Sequence, residues 1–286
     1  MKPEFHDFFK DKKISQFKLL AIDMDGTSLN EQHELSHRTI NAIQKVHDKG
    51  LMVLFATGRM SSAVEKHLER LGTPGLVVSH NGALVLDIHK NHIYLHNRVN
   101  KSISDEVIEF SRKHKSILHF NLGDKVIVEK ISMLSKKYSQ ELGIKLDLIN
   151  SFSDISEEPT SLLLIDDKSK LTDFLENICH KYEGLFDHVL IPWLQDKWML
   201  QILSPNTSKG GAVIDLAKQV KIKNHEIISF GDSYNDMEMI RQCGLGIAMG
   251  NACEELKKDA DYVTKTNAQD GVAYVLEQLL SNEETA

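Results

Sequence analysis

The sequence predicts an α/β protein, a parallel sheet built from βαβ units and interrupted by an inserted α+β segment. Three observations predict it. Short apolar runs alternate with helix-period segments near the N-terminus, the same alternation returns near the C-terminus, and the stretch between them reads differently. Strands that alternate with helices at this spacing form parallel sheets, because parallel neighbours need a long crossover and a helix supplies it.

Taken in order, Lys18-Leu-Leu-Ala-Ile-Asp23 is a short apolar run ending in a carboxylate, and it reads as a buried strand. Ser36 to His47 carries Ile40, Ile43 and Val46 on one side, with Ser36 as N-cap and Gly50 as stop. Leu51-Met-Val-Leu-Phe-Ala-Thr57 is the next strand. Ser62-Ala-Val-Glu65 has capping-box spacing for a helix that presents Val64, Leu68 and Leu71 and closes at Gly72. Leu76-Val-Val-Ser79 is a third strand. Near the C-terminus, Ile227-Ile-Ser-Phe230, Leu245-Gly-Ile-Ala-Met249 and Asp261-Tyr-Val-Thr264 are strand candidates, followed by a helix from Gly271 to Leu280.

From about Asp87 to Leu200 the pattern changes. Ile93-Tyr-Leu95 and Val126-Ile-Val128 are hairpin-like, and Ser161-Leu-Leu-Leu-Ile165 reads as a strand. Two helical segments, about 131–142 and 170–182, each end before a glycine. Residues 1–87 and 200–286 are therefore expected to form one discontinuous domain, with 1–16 as an N-terminal extension, and 88–199 an inserted α/β domain.

Composition narrows the function. The chain has 286 residues, enough for one large core or two modest ones. Its 34 basic against 41 acidic side chains leave a net charge of −7, which argues against a nucleic-acid or membrane-surface binder. Cys179, Cys243 and Cys253 are too few and scattered for a disulfide framework, as expected of reduced thiols in the cytoplasm. Met1 to Phe17 carries charges throughout and no apolar segment, so no signal peptide is expected. No apolar run reaches the roughly 18 residues of a membrane span. The expected localisation is cytoplasmic, and monomer against homodimer stays open.

Four polar motifs fall where predicted strands end or helices begin. Asp23-Met-Asp25-Gly-Thr27 closes the first strand. In an open parallel sheet ligands sit outside the carboxyl ends of strands, so a carboxylate at Asp23 can be a pre-aimed nucleophile. Asp25 can offer its backbone carbonyl to a metal while its side chain exchanges a proton with an ester oxygen. Thr57-Gly58 ends the second strand, where a hydroxyl and backbone N–H groups can hold a phosphate oxygen without adding charge. Arg59 either touches substrate or steadies the insertion. Ser208-Lys209-Gly210-Gly211 opens a helix; a lysine there is disfavoured by the helix dipole unless an anion sits beside it. In Gly231-Asp232-Ser-Tyr-Asn235-Asp236, Asp232 suits a direct Mg²⁺ ligand and Asn235 can donate to phosphate. Asp236 suits an outer role, orienting a metal-bound water or Lys209. Read singly, each motif is also a turn, an N-cap or an exposed first-turn lysine. Their joint placement is what points to chemistry.

This ordered set, with Asn81-Gly82-Ala83, Ala248-Met-Gly-Asn-Ala252 and Asp270-Gly-Val-Ala273, resembles the haloacid dehalogenase (HAD) superfamily and, more closely, its Cof-type (subfamily IIB) phosphatases. The resemblance spans roughly Phe17 to Leu280. It implies a Rossmann-like core with an inserted C2-type α+β cap that selects the substrate. It implies catalytic roles for Asp23, Asp25 and Lys209, and a phosphate site of Met24, Thr57, Gly58, Lys209 and Asn235. Mg²⁺ on Asp23, Asp25 and Asp232 is implied too. Ser28 stands where the family often has leucine, and about sixteen residues precede its usual start.

The implied activity is hydrolysis of a small phosphorylated metabolite through an aspartyl-phosphate. The rival expectations are a phosphomutase of the same superfamily and a non-catalytic phosphometabolite-binding protein. His89, His92 and His96 have a spacing that invites a metal reading, but they lie in a segment read as a solvated hairpin. Trp193 and Trp198 read as packing residues.

Overall fold

A computed structural model describes residues 4–284; the first three residues of the N-terminal extension and the last two of the chain lie outside it. The strands, in chain order, begin with β1 (Leu19–Ile22), β2 (Met52–Ala56), β3 (Leu76–Ser79), β4 (Leu84–Asp87) and β5 (His92–His96). A middle set follows: β6 (Ile117–Leu122), β7 (Lys125–Val128), β8 (Leu146–Leu148), β9 (Ser161–Asp167), β10 (Asp187–Leu194) and β11 (Lys197–Leu203). The last are β12 (Ile227–Gly231), β13 (Leu245–Ala248) and β14 (Tyr262–Val263).

They make two sheets, in the orders β14-β13-β12-β1-β2-β3-β4-β5 and β10-β11-β9-β6-β7-β8. The chain divides into two compact units. One runs to Gly58, resumes for Val64–Tyr94 and again from Ser208; the other holds Arg59–Ala63 and Leu95–Thr207. The chain thus crosses at 58/59, 63/64, 94/95 and 207/208, where the sequence suggested only 87/88 and 199/200. The reasons are local. β5 adds to the edge of the larger sheet, and β11 pairs along its length with β9 and β10 in the smaller one.

The larger sheet is a Rossmann-like core. β14, β13, β12, β1, β2 and β3 are parallel to their neighbours, and β4 turns back antiparallel to β3. β1 is buried throughout, because helices cover both faces of such a sheet and a strand inside it needs no polar side. Register does the rest. Ile22 lies opposite both Phe55 and Phe230, so the carboxyl ends of β1, β2 and β12 are level. β1, β2 and β3 run outward one way, and β12, β13 and β14 the other. The order reverses between β1 and β12, the place where doubly wound sheets bind ligands.

Local chemistry sets the helices around this sheet. The helix His37–Asp48 begins where Ser36 Oγ accepts from Thr39 N at 3.0 Å, and it buries Ile40, Ile43 and Val46. Such a cap stabilises a helix by about 1 kcal/mol. The capping box expected at Ser62 is absent. A short 3₁₀ turn, Ser61–Ala63, intervenes, the helix starts at Glu65, and Val64 caps it without a side-chain bond. Ser61 Oγ and Ser62 N instead donate to Asp124 Oδ1, at 2.6 and 2.9 Å. Gly72 ends the helix in a left-handed conformation, as expected.

The N-terminal extension is part of the core. A five-residue helix, Phe5–Phe9, stacks Phe5 on Tyr274 (4.2 Å between ring centres) and Phe8 on Tyr262 (5.1 Å), with Phe9 fully buried. Phe5, Phe8 and Phe9 all pack on Tyr262 of β14, the last strand of the sheet.

In the second unit the helices Lys101–His114 and Lys168–Lys181 pack Ile103, Val107 and Leu171 against Leu118, Leu162 and Leu200. Met60 and Ala63 join Val126, Val128 and Ile144 in a smaller cluster, with Tyr138 beside it. Among the described residues no helix is long and apolar enough to cross a membrane.

Candidate active site

Asp23 follows β1 directly, and its N–H bonds Phe230 O at 3.0 Å, carrying the ladder one step beyond the strand. The turn Met24–Ser28 then reverses the chain: Ser28 N and Leu29 N return to the carbonyls of Asp23 and Met24. Gly26 is required here twice over. Its φ of +76° is unfavourable for a residue with a Cβ, and a Cβ would fall 2.4 Å from Asp232 Oδ2. Met24 has its side chain fully buried in the core, so only its backbone is available to a ligand.

Lys209 is the first residue of the helix Lys209–Gln219, whose N-cap Ser208 accepts from Gly211 N at 2.9 Å. It is only 2% exposed, and its Nζ donates to Asp23 Oδ1 at 2.5 Å and Asp236 Oδ1 at 2.8 Å. A buried lysine is retained only when paired, and two carboxylates provide for it. Asp236, itself fully buried, uses its other oxygen to accept from Asp232 N (3.0 Å) and Ser233 N (3.1 Å). Both of its oxygens are therefore occupied within the protein.

Asp232 follows β12 and accepts from Thr27 Oγ1 at 3.3 Å. Ligand oxygens of Asp23, Asp232 and Asp236 lie within 4.8 Å of one another, the one such grouping of His, Cys, Asp or Glu among the described residues. The three carboxylates outnumber the one ammonium, leaving two formal negative charges in a buried space. Like charges at 4.8 Å repel by roughly 3 kcal/mol per pair at an effective dielectric near 20. The carboxyl pKa values are raised accordingly. Burial, then the Asp236 charge, hold Asp23 well above the usual carboxyl range against the pull of Lys209. The same two causes push Asp232 up to about 6. Burial opposes the charge on Lys209, but Asp23 and Asp236 outweigh it and hold the ammonium above its ordinary pKa. Hard oxygen donors with excess negative charge fit a magnesium-sized cation.

The remaining motif residues have contacts of their own. The Asp25 side chain is about half exposed, 3.5 Å from His33 Nδ1, and its charge contributes to the raised Asp232 pKa. Thr57 is buried; its N–H bonds Val78 O at 2.8 Å and its carbonyl accepts from Asn81 N at 3.0 Å. Gly58 packs under the Asn81 amide, whose Nδ2 is 3.0 Å from where a Cβ would be. Asn235 Nδ2 donates to Asn81 Oδ1 at 2.8 Å. Arg59 is buried in the second unit, where its charge works against the burial that raises the Tyr138 phenol.

Sequence reasoning missed several contributors. Asn81 and Asn251 were noted only as landmarks, yet Asn81 joins two motifs and Asn251 Nδ2 holds the Gly26 carbonyl at 2.7 Å. Glu238 holds the Ser208 hydroxyl, which fixes the start of the Lys209 helix. His33 carried no local signal; it reaches Asp25 from a turn in which Asn30 Oδ1 accepts from Gln32 N and Glu34 N. The histidine cluster stays a strand and turn, with His96 Nε2 bonded to Thr160 Oγ1 at 2.8 Å. Trp198 packs on the core of the second unit, and Trp193 donates to Glu141.

A doubly wound parallel sheet with an acidic cluster and a buried lysine at its switch point places these groups where such folds bind their ligands. The chain belongs to the haloacid dehalogenase-like hydrolases, whose family model matches residues 20–276. It is 31% identical to phosphatase YwpJ of Bacillus subtilis over 92% of this chain and all of that one. It is 29% identical to the 5-amino-6-(5-phospho-D-ribitylamino)uracil phosphatase YwtE of the same organism, covering 93% and 99% of the two chains. Among solved structures, a haloacid dehalogenase-like hydrolase from Bacteroides thetaiotaomicron superposes with a TM-score of 0.84 at 25% identity, over 92% of this chain and all of that one. The class is thus an HAD-type phosphatase, as the motif set implied.

Proposed function

We propose that the chain is a magnesium-dependent phosphatase of small phosphorylated metabolites that carries the phosphoryl group transiently on Asp23. The observation that carries this reading is the Lys209 ammonium, buried between Asp23 and Asp236 beside Asp232. Asp23, Asp232 and the Asp25 carbonyl are the groups that would hold the ion. When bound, it supplies the positive charge that offsets repulsion between the Asp23 carboxylate and a phosphate dianion.

The chain's own groups do the rest. An Asp23 oxygen bonds to phosphorus as the ester P–O bond breaks, and protonated Asp25 gives its proton to the departing alkoxide. Asp25, now a carboxylate, takes a proton from the water that attacks phosphorus. The Asp23–phosphorus bond then breaks, inorganic phosphate leaves, and the Asp23 carboxylate is restored. Lys209, Asn235, Thr57 and the N–H groups of Met24 and Gly58 hold the phosphoryl oxygens, where transition-state charge resides. Asp236 keeps Lys209 in place.

The test is a phosphate-release screen over sugar phosphates, phosphorylated polyols of the kind named for YwtE and nucleotides, with and without magnesium. Wild type is expected to release inorganic phosphate only with the ion, and Asp23→Asn to lose essentially all release while melting normally. An Asp23→Asn protein with more than a few per cent of wild-type turnover contradicts the reading. Return of phosphate to a second sugar, without release, would make the enzyme a mutase.

A further inference from the structure

The turn between β3 and β4 is unusual. His80, Asn81 and Gly82 follow one another at φ values of +49°, +53° and +108°. Two successive non-glycine residues in the left-handed region are unfavourable, and they persist only where the surroundings impose them. Both are buried, Asn81 to 5% exposure. The turn is therefore held in a conformation that serves something outside itself.

What it serves is visible in its bonds. Asn81 N donates to Thr57 O at 3.0 Å, which fixes the end of β2. Asn81 Oδ1 accepts from Asn235 Nδ2 at 2.8 Å, which fixes the loop after β12. In the sheet β3 and β12 are separated by β2 and β1. At about 4.8 Å between neighbours, three spacings separate the strands on which these loops rest. The Asn81–Asn235 bond thus arches over the ends of β1 and β2, from which Asp23 and Thr57 emerge. A primary amide has two N–H groups. With one committed to Asn81, the Asn235 side chain can no longer rotate freely, and its second N–H keeps one direction.

We propose that Asn81 is a positioning residue for the phosphoryl group, clasping Asn235 across the mouth of the anion pocket while its backbone fixes Thr57. It touches no reacting atom in this account and acts through those two neighbours. The proposal rests on the phosphatase reading for its ligand, and the experiment separates the two.

Inorganic phosphate binding in the presence of magnesium is measured calorimetrically for wild type, Asn81→Gly, Asn235→Ala and the double variant. Glycine is chosen because it accepts the +53° backbone without strain, so only the side chain is lost. Asn81→Gly is expected to weaken phosphate binding about tenfold, the worth of one hydrogen bond to a charged group. The double variant should then bind within twofold of Asn235→Ala alone, because the two residues act as one unit. Binding of Asn81→Gly within twofold of wild type overturns the proposal, and so do losses that multiply in the double variant.

Should the glycine variant not fold, side-chain amide NMR of the wild type decides. One Asn235 amide proton is expected to be protected from exchange without ligand, and the other to shift on adding phosphate; two freely exchanging protons overturn the clasp. Wild type that binds phosphate with this coupling yet hydrolyses no aryl phosphate keeps the clasp and removes the catalytic reading. Wild type that binds no phosphate removes both.

Discussion

Replacing Asp236 by asparagine probes the site without emptying it. The carboxylate is fully buried and accepts three hydrogen bonds, from Lys209 Nζ at 2.8 Å, Asp232 N at 3.0 Å and Ser233 N at 3.1 Å. An amide of the same shape has one accepting end. Its other end would face either the lysine or the two backbone N–H groups, donor against donor. At least one bond to a charged group is therefore lost, worth about 1.5–3 kcal/mol, and Lys209 keeps Asp23 as its only carboxylate partner. If that loss falls on the transition state, kcat for an aryl phosphate drops about 10–100-fold.

A second readout follows from charge. After burial, Asp236 is the largest cause raising both Asp23 and Asp232, so its neutralisation lets both ionise at lower pH. The acidic limb of the kcat/KM profile, which reports the free enzyme's essential base, should move to lower pH. Kinetics from pH 4 to 8 measure both effects, with a urea melt to confirm folding. A kcat within threefold of wild type, or an acidic limb that moves upward, would refute the reasoning.

Two further outcomes follow from the same geometry. The native pKa of Asp232, about 6, lies above the roughly 3.9 of an unfolded aspartate, so between those values the folded state binds more protons. Its effect on stability is therefore unfavourable and grows as pH rises through that window. Asp232→Asn removes it and should gain on wild type by an amount on the order of 3 kcal/mol between pH 4 and 7 without magnesium. Urea melts of the two proteins check this, and a difference that does not change with pH contradicts it. Gly26→Ala should lower stability by about 1–2 kcal/mol through its backbone and weaken magnesium binding by displacing Asp232. Gly50→Ala, at φ +97° with open space around it, is the control: calorimetry should show unchanged magnesium affinity there, and equal affinity in both variants would be the contrary result.

The legible parts of this molecule are those whose meaning is local. β1, β2, β3 and β12 announce themselves as apolar runs buried on both faces, and each leads into a polar motif. Ser36 caps its helix through a residue three positions away. Ser62 does not, because Asp124, some sixty residues on, takes its N–H and the Ser61 hydroxyl. The same distance hid the Asn81–Asn235 bond, which joins residues 154 apart, and the docking of Phe5 on Tyr274. β6 was harder to read for another reason. His119 and Asn121 alternate with Leu118 and Phe120 and are buried too, bonded to Ser135 and Ser161, so the apolar run that signals a strand is broken. Strand-end placement marked Asp23 and Asp232, and the structure brings both together with Asp236. Which of them share Lys209 depended on the level register of β1 and β12.

The claim on which the mechanism depends is that phosphorus passes through a covalent bond to Asp23. Asp25→Asn, given an aryl phosphate whose leaving group needs no proton, should still be phosphorylated but hydrolyse slowly, because the water-activating carboxylate is gone. Acid quench and peptide mass spectrometry should then find the phosphoryl group on the peptide bearing Asp23. Turnover by wild type with no label on that peptide in Asp25→Asn, or label on another residue, contradicts the account.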